Sequence, residues 1–468
     1  MTLIKSISGI RGTIGGEAGN NLTPVDIIKF TTAFVELIKQ RTKTVQTTFV
    51  VGRDARISGE MVSQIVCGAV QSVGCNVVDI GLTTTPTIEI AIPKLHADAG
   101  IMITASHNPI QWNALKLMNH KGEFISDSEG KEVLECSERQ RIYAEALHLG
   151  KYVRYEHAIA DHIEGILKLN LVDKCAIESA NFSVAVDAVN STGGIAVLEL
   201  LTALGVKKIY PVNCNPDGMF AHNPEPLPEN LTEIAALTQR TGADIGFAVD
   251  PDVDRLSIIA EDGSMFGEEY TLVAVADYVL QHRKGNAVSN MSSSRALRDI
   301  TEKYGGTYFA SAVGEVNVVE MMKKHHAVIG GEGNGGVIYP DLHYGRDALV
   351  GIALILSYLA KTKQKISCLK NSYPQYFISK NKIELHPDTD MDVILKKMEE
   401  KYRYMPHSTI DGLKIDFDKE KEWVHLRKSN TEPVIRIYAE SADKKRADAL
   451  AQKIIDEISL ILHTAAIL

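Results

Sequence analysis

The sequence predicts three successive α/β domains with mixed, largely parallel sheets, followed by a C-terminal α+β domain. Three observations carry this expectation. A length of 468 residues asks for several domains. Up to Pro374, short apolar runs alternate with stretches of helical period, the pattern of βαβ units. Beyond Pro374, short strands follow one another across tight turns and two helices flank them. The expected domains are 1–151, 152–255, 256–371 and 372–468.

In the first domain the β-branched run Thr47–Val51 reads as a strand. Ser58 is expected to cap a helix whose apolar face is Met61, Ile65, Ala69 and Val73. Val77–Ile80 is the next strand, Thr84-Thr85-Pro86 opens a helix, and Ala99–Ile103 is a buried strand. The pattern then begins again with a strand at 183–187, a helix at 193–204, and strands at 208–211 and 243–249. A third round predicts helices at 270–280, 295–304, 316–325 and 348–359, with strands at 286–288, 307–310 and 328–330. In the last domain strands are expected at 382–385, 413–417, 422–427 and 434–438, with helices at 392–401 and 443–462.

Composition narrows the functional classes. The formal charge of −9 offers no basic stripe for nucleic acid. No apolar run approaches the ~18 residues of a membrane span, and the first residues lack a secretory h-region. Cys67, Cys75, Cys136, Cys175, Cys214 and Cys368 are scattered with no C-x-x-C pair, as reduced thiols would be. The expectation is a cytoplasmic protein, monomer or homodimer, with small-molecule partners and no nucleic acid or membrane.

Four stretches carry chemistry. Thr104-Ala105-Ser106-His107-Asn108-Pro109 follows the strand Ala99–Ile103 and puts a hydroxyl at a strand's carboxyl end, where α/β sheets place their sites. Alone it would pass for an ordinary turn. Asp250-Pro251-Asp252-Val253-Asp254-Arg255 sets three carboxylates at alternate positions between apolar strands. These repel one another unless a cation sits among them, and such hard oxygen ligands suit Mg²⁺ or Ca²⁺. An EF-hand is excluded because its sixth position is Arg255 instead of glycine. A haloacid dehalogenase-type phosphatase is the weaker rival, since Asp254 stands where that pattern wants Thr or Val.

Gly330–Gly336 is glycine-rich but fits neither nucleotide-binding pattern, and it offers Glu332 and Asn334 as partners for sugar hydroxyls. The run 427–436 encloses Ser429, Asn430 and Thr431 between Arg427 and Arg436, which by composition is a phosphate grip. Near the N-terminus, Ser8-Gly9-Ile10-Arg11-Gly12-Thr13 holds an arginine between glycines, where it could reach an anion.

Taken together, these motifs resemble those of the α-D-phosphohexomutase family, in order and one per expected domain. Thr104–Pro109, with Asn113 and Lys116 after it, looks like that family's phosphoserine loop. Asp250, Asp252, Asp254 and Arg255 look like its metal loop, Glu332 and Asn334 fall on its sugar loop, and 427–436 resembles its phosphate loop. The resemblance implies a heart-shaped enzyme with a central cleft, and a phosphorylated Ser106. One Mg²⁺ would be held by the three aspartates and an oxygen on Ser106. A bisphosphorylated sugar would be the intermediate, and a sugar 1,6-bisphosphate the activator. Arg11, Lys116 and Arg255 would supply positive charge, and Lys116 and His107 are the acid/base candidates. Arg427, Ser429, Asn430, Thr431 and Arg436 would hold the distal phosphate.

Departures from the family pattern are Pro251 for a common glycine, Asn334 for serine, Gly336 for histidine, and Ala312 for a lysine found in some members. They are similar to variants in archaeal-type and Bacteroidetes-like members. The implied activity is interconversion of hexose 6-phosphate and hexose 1-phosphate, with glucosamine phosphate favoured over glucose and mannose phosphates. A non-catalytic sugar-phosphate sensor is disfavoured, because the serine and all three aspartates are present.

Overall fold

The computed structural model describes residues 2–6, 9–42, 46–386, 389–428 and 434–465. It comprises two compact units, Met1–Val279 with Asn334–Leu369, and Leu280–Gly333 with Lys370–Leu468.

The first unit contains a seven-stranded sheet in the order Ile4–Ser6, Gly9–Thr13, Trp112–Asn119, Ala99–Ile103, Thr48–Arg53, Asn76–Leu82, Tyr152–Arg154. From Ala99–Ile103 to Tyr152–Arg154 the strands run parallel, as the βαβ series predicts. The strand Trp112–Asn119 pairs antiparallel with Ala99–Ile103, and Gly9–Thr13 pairs antiparallel with Trp112–Asn119. Trp112–Asn119 escapes the sequence pattern because two buried positions hold Asn113 and Lys116 in place of apolar residues. The helix Gly59–Ser72 forms, and of its expected apolar face Ala69 and Val73 are buried and Ile65 packs against the core. Val62, Val66, Ala69 and Val70 are buried, whereas Met61 is exposed. Ser58 makes no side-chain cap, and its hydroxyl accepts from Asn113 Nδ2 at 3.0 Å.

The same unit holds a four-stranded sheet in the order Leu256–Ala260, Ile245–Val249, Ser183–Asp187, Lys208–Val212. Ile245–Val249 and Leu256–Ala260 form an antiparallel hairpin, and every residue of both strands is buried. The three aspartates therefore lie in the connection of a buried hairpin. The helix Ala348–Thr362 is buried from Ala348 to Leu359 and is apolar on nearly all sides, the mark of a core helix.

In the second unit, Tyr308–Ser311, Asn286–Asn290 and Ala327–Glu332 are parallel neighbours. A five-stranded antiparallel sheet follows in the order Phe377–Glu384, Val434–Ser441, Glu422–Lys428, Leu413–Phe417, His407–Ser408. The helices Met391–Lys401 and Lys444–Ala465 complete this α+β region. Its core joins Leu413, Ile415, Val424, Leu426, Ile435 and Ile437 from the sheet to Met398, Ile454 and Ile458 from the helices.

Candidate functional site

Ser106 sits at the end of the buried strand Ala99–Ile103, in a left-handed backbone conformation (φ 47°) that is uncommon for a residue with a Cβ. The loop is held from below by Asp54 and Arg56, both fully buried. Asp54 Oδ2 accepts from Thr104 Oγ1 at 2.6 Å, and Thr104 Oγ1 accepts from the Ser106 backbone N–H at 2.9 Å. The Arg56 guanidinium donates to the carbonyls of Ser106, Asn108, Pro109 and Trp112 and pairs with Asp54 at 3.1 Å. One buried arginine thus fixes four carbonyls of the loop. Sequence reading passed over both residues, because in Gly52-Arg53-Asp54-Ala55-Arg56 they look like a solvated turn.

The aspartate loop is anchored in a similar way. Asp250 Oδ1 accepts from the backbone N–H groups of Asp254 and Arg255, each at 3.1 Å. The Pro251 carbonyl accepts from Ser191 Oγ at 2.7 Å and Thr192 Oγ1 at 2.8 Å. Across the junction, Ser106 Oγ donates to Asp250 Oδ2 at 2.6 Å, so the structure unites the two stretches that the sequence left 144 positions apart.

The charges around this junction are buried. Lys116 Nζ lies 2.7 Å from Asp252 Oδ2 and 3.5 Å from Asp254 Oδ2. Thr85 Oγ1 donates to Asp252 Oδ2 at 2.5 Å, and Arg346 Nη2 lies 2.7 Å from Asp254 Oδ2. Burial, then the Asp254 and Asp252 carboxylates, pushes Asp250 well above the ordinary carboxylate range. For Asp252 burial acts in the same direction, but the Lys116 ammonium outweighs it and holds the carboxyl low. Burial would also lower Lys116, yet Asp252 and Asp254 hold its ammonium above the ordinary lysine value. Thr85 and Arg346 carried no sequence signal, since they become site residues only through the fold.

His107 Nδ1 lies 3.5 Å from Ser106 Oγ. Burial, reinforced by Arg255, pushes this imidazole well below its ordinary value and keeps it neutral. Arg255 lies along the loop rim, with Nη1 3.5 Å from Glu225 Oε1 and Nε 3.9 Å from Asp254 Oδ1. Arg11 stands opposite Ala114 in the strand pair, on the face that Ala114 shares with Lys116.

The carboxylates fit a hard divalent cation. One oxygen from each of Asp250, Asp252 and Asp254 lies within 4.8 Å of the others. Asp252 Oδ1 and Asp254 Oδ1 are buried and accept no hydrogen bond among the described residues. An all-oxygen donor set with uncommitted lone pairs matches Mg²⁺.

The remaining predicted residues are placed separately. The division between the two units falls after Gly333, inside the glycine-rich loop. In the second unit Glu332 is buried, and its Oε1 accepts from Asn290 Nδ2 at 2.7 Å and from the Gly314 backbone N–H at 3.1 Å. In the first unit Asn334 Oδ1 accepts from the Gly336 N–H at 3.2 Å. Gly335 has φ 87°, and a Cβ there would lie 2.4 Å from the Leu256 carbonyl oxygen, so this loop position requires glycine.

Arg427 and Arg436 are direct cross-strand partners, and Lys382 is opposite Arg436 on the next strand. Three cations therefore stand in a row on one face of the sheet, an arrangement that costs stability unless anions compensate it. Arg427 Nε pairs with Asp411 Oδ2 at 2.9 Å, and Asp411 Oδ2 accepts from the Val313 N–H at 2.9 Å. Asp411 and Lys382 were not singled out from sequence, where cross-strand register is invisible. Ser429, Asn430 and Thr431 lie outside the described residues.

Models of the phosphoglucomutase/phosphomannomutase domains match in chain order: α/β/α domain I at 3–143, domain II at 160–263, domain III at 267–376, and the C-terminal domain at 382–457. A phosphoglucomutase/phosphomannomutase of Thermococcus kodakarensis is 37% identical over 448 residues, covering 93% of this chain and 95% of its own. A phosphoglucosamine/phosphogalactosamine mutase of Sulfurisphaera tokodaii is 32% identical, with 95% and 97% covered. Among solved structures, a phosphoglucomutase/phosphomannomutase family protein of Burkholderia thailandensis superposes with a TM-score of 0.83 at 25% identity, covering 98% and 97%.

The chain belongs to the α-D-phosphohexomutase family. It is an isomerase of the phosphohexomutase kind. Among the described residues, no helix is long and apolar enough to cross a membrane.

Proposed function

We propose that this chain interconverts hexose 6-phosphates and hexose 1-phosphates through a phosphorylated Ser106, with glucosamine phosphate as the preferred substrate. The observation that carries the proposal is the buried contact of Ser106 Oγ with Asp250, 2.6 Å, amid three carboxylates, Lys116 and Arg346. A serine held this rigidly can carry a phosphoryl group between two sugar oxygens.

In the first half-reaction a sugar hydroxyl attacks the phosphorus on Ser106. The bond from phosphorus to Oγ breaks as the bond to the sugar oxygen forms; the hydroxyl proton passes to a base, and the leaving Oγ takes up a proton to become the serine hydroxyl. The products are a free Ser106 and a sugar bisphosphate. The sugar then presents its other phosphate, which returns to Ser106 and leaves the isomeric monophosphate. No phosphate is lost, so a sugar 1,6-bisphosphate can also charge an unphosphorylated enzyme. Such transfers depend on positioning and charge neutralisation more than on covalent help.

Asp250, Asp252 and Asp254, with an oxygen on Ser106, would hold Mg²⁺, which supplies charge neutralisation to the phosphoryl group. Lys116 keeps its proton among the carboxylates and serves as a fixed positive charge. Arg11 and Arg255 add to it. His107, neutral and 3.5 Å from Ser106 Oγ, is the side chain placed to accept a proton there. Arg56 and Asp54 position the loop without touching substrate. Glu332 and Asn334 would recognise the sugar, and Arg427, Ser429, Asn430, Thr431 and Arg436 its distal phosphate.

A buried carboxylate such as Glu332 favours an amino sugar, whose ammonium it can pair with. Glucose and mannose phosphates are the second reading, favoured by the name and 37% identity of the Thermococcus relative. We place the enzyme in the cytoplasm, as a monomer or homodimer.

A coupled assay decides between the sugars, with glucosamine 6-phosphate, glucose 1-phosphate and mannose 1-phosphate in parallel, Mg²⁺ and a trace of bisphosphate. Turnover at least about tenfold higher for the amino sugar, a ~1.4 kcal/mol discrimination, supports the first reading. A preference for glucose or mannose phosphate supports the second. Turnover unchanged in Ser106→Ala sinks the phosphoserine mechanism.

A further inference from the structure

A second buried cluster in the first unit takes no part in the reaction described above. It brings Glu89 and Thr87, from the helix Thr85–Lys94, together with His162, from the helix Ala158–Leu167. His343 and Asp347 join it from the loop ahead of the helix Ala348–Thr362. His162, Asp347 and Glu89 are buried, and His343 keeps only 11% of its side chain exposed.

The two imidazoles, nearly perpendicular at 84°, turn Nε2 toward the same carboxylate oxygen. His162 Nε2 lies 2.9 Å from Asp347 Oδ2, and His343 Nε2 lies 3.4 Å from the same oxygen. His162 Nδ1 is hydrogen-bonded to Thr87 Oγ1 at 2.9 Å, and His343 Nδ1 lies 3.2 Å from Glu89 Oε2 in a charge contact without hydrogen-bond geometry. Asp347 is oriented in turn, its Oδ1 accepting from the backbone N–H groups of Leu349 at 2.8 Å and Val350 at 3.3 Å.

From this arrangement we infer that His162 Nε2, His343 Nε2 and Asp347 Oδ2 form a second metal site, selective for Zn²⁺ or a similar borderline divalent ion. Three arguments support it. First, one donor atom from each residue lies within 4.8 Å of the others. Tetrahedral coordination at bonds of about 2.0–2.2 Å sets donors roughly 3.3–3.5 Å apart, so small adjustments suffice.

Second, metal-bound histidines characteristically use one nitrogen for the metal and donate the other N–H to a carboxylate or other oxygen. Thr87 occupies that outer position for His162, and Glu89, 3.2 Å from His343 Nδ1, stands where it could take it for His343. Third, the charges balance. Two neutral imidazoles and two carboxylates around a divalent cation sum to zero, which suits a site with almost no water around it. The ion would take the place of the Nε2 protons, so loading releases protons to solvent.

The nitrogen content separates this site from the aspartate triad. Hard, oxygen-only ligands favour Mg²⁺, whereas imidazole favours zinc-like ions. The test uses full-length, untagged protein, stripped with chelator, saturated with Mg²⁺ and then exposed to Zn²⁺. Zinc content after gel filtration gives stoichiometry, and X-ray absorption of the bound zinc reports its imidazole ligands.

The expected result is about one zinc per chain with two imidazole ligands, unchanged in Asp252→Asn. His343→Asn is expected to lose at least about nine-tenths of the zinc. Glu89→Gln, which removes only an outer partner, should weaken affinity by about 10–100-fold. Thermal melts of each variant check folding, and if His343→Asn does not fold, His162→Gln and Glu89→Gln carry the test. Zinc without imidazole scattering, no retained zinc, or retention unaffected in the folded variants overturns the inference. None of these readouts depends on mutase activity.

Discussion

The Ser106 corner and the Arg427 strand pair are both clusters of charge suited to phosphate, yet they are built on opposite principles. Around Ser106 the charges are buried, and most are anchored by a second group: Lys116 by Asp252, Arg346 by Asp254, the serine loop by Arg56. At the strand pair, Arg436 is exposed and stands directly opposite Arg427, so repulsion is softened by solvent. The difference teaches where preorganisation is needed. A group that carries the reacting atom must be fixed in a dry setting, where electrostatics are strong. A group that holds a distal phosphate can work at the solvent edge, where binding and release are both accessible.

Kinetics should separate the two regions. The largest effect belongs to Ser106→Ala, which removes the phosphoryl carrier while leaving the surrounding loop contacts through backbone atoms. We expect kcat to fall at least about 10⁴-fold, with no phosphopeptide at residue 106 by mass spectrometry. Asp252→Asn comes next. It weakens the metal donor set and deprives Lys116 of its nearest partner, and kcat should fall roughly 10³-fold. If that variant raised only KM, the corner would be a binding site and the contrast would collapse.

Arg427→Ala tests the other side. A charge-assisted hydrogen bond is worth about 1.5–3 kcal/mol, so KM should rise by roughly 10–100-fold. The chemical step in a single turnover at saturating substrate should change by less than about threefold, since this group is proposed to touch only the non-reacting phosphate. A large loss in that step with KM intact would place Arg427 at the reacting group. Added salt should raise KM further in the wild type, because the cation row is open to screening.

Much of this organisation is legible in the sequence, for physical reasons that differ by residue. The strand Ala99–Ile103 was found to the residue because it is an unbroken apolar run, buried on both faces. The aspartate triad stood out because repulsion among alternate carboxylates demands a cause. The strand Trp112–Asn119 was missed because Asn113 and Lys116 interrupt its apolar pattern, the second at a position that serves the site. Arg56, Thr85, Arg346 and Asp411 were missed because each is unremarkable in its own segment. They acquire a role only when tertiary contacts bring them to a distant loop. On the helix Gly59–Ser72 only Met61 departs from the expected apolar face, since Met61 and Val62 are equally apolar and packing alone chooses between them.

The smallest predicted effect concerns a buried carboxylate in the second unit. Glu440 is fully buried, and its Oε1 accepts from Trp423 Nε1 at 2.6 Å and from the Arg295 N–H at 2.9 Å. Burial raises it from 4.5 to about 7, against the lowering pull of its donors and Lys414. The folded state therefore binds this proton more tightly than the unfolded chain does. The stability it contributes is full below pH 4.5 and is lost as pH rises through about 7. Glu440→Gln keeps a carbonyl oxygen for both donors and cannot ionise. The melting temperature of the variant relative to wild type should thus move upward between pH 5 and pH 8, by a few degrees on the order expected for about 2 kcal/mol. A difference independent of pH would mean that Glu440 stays ionised throughout, its charge compensated by Lys414 much as Asp252 is by Lys116.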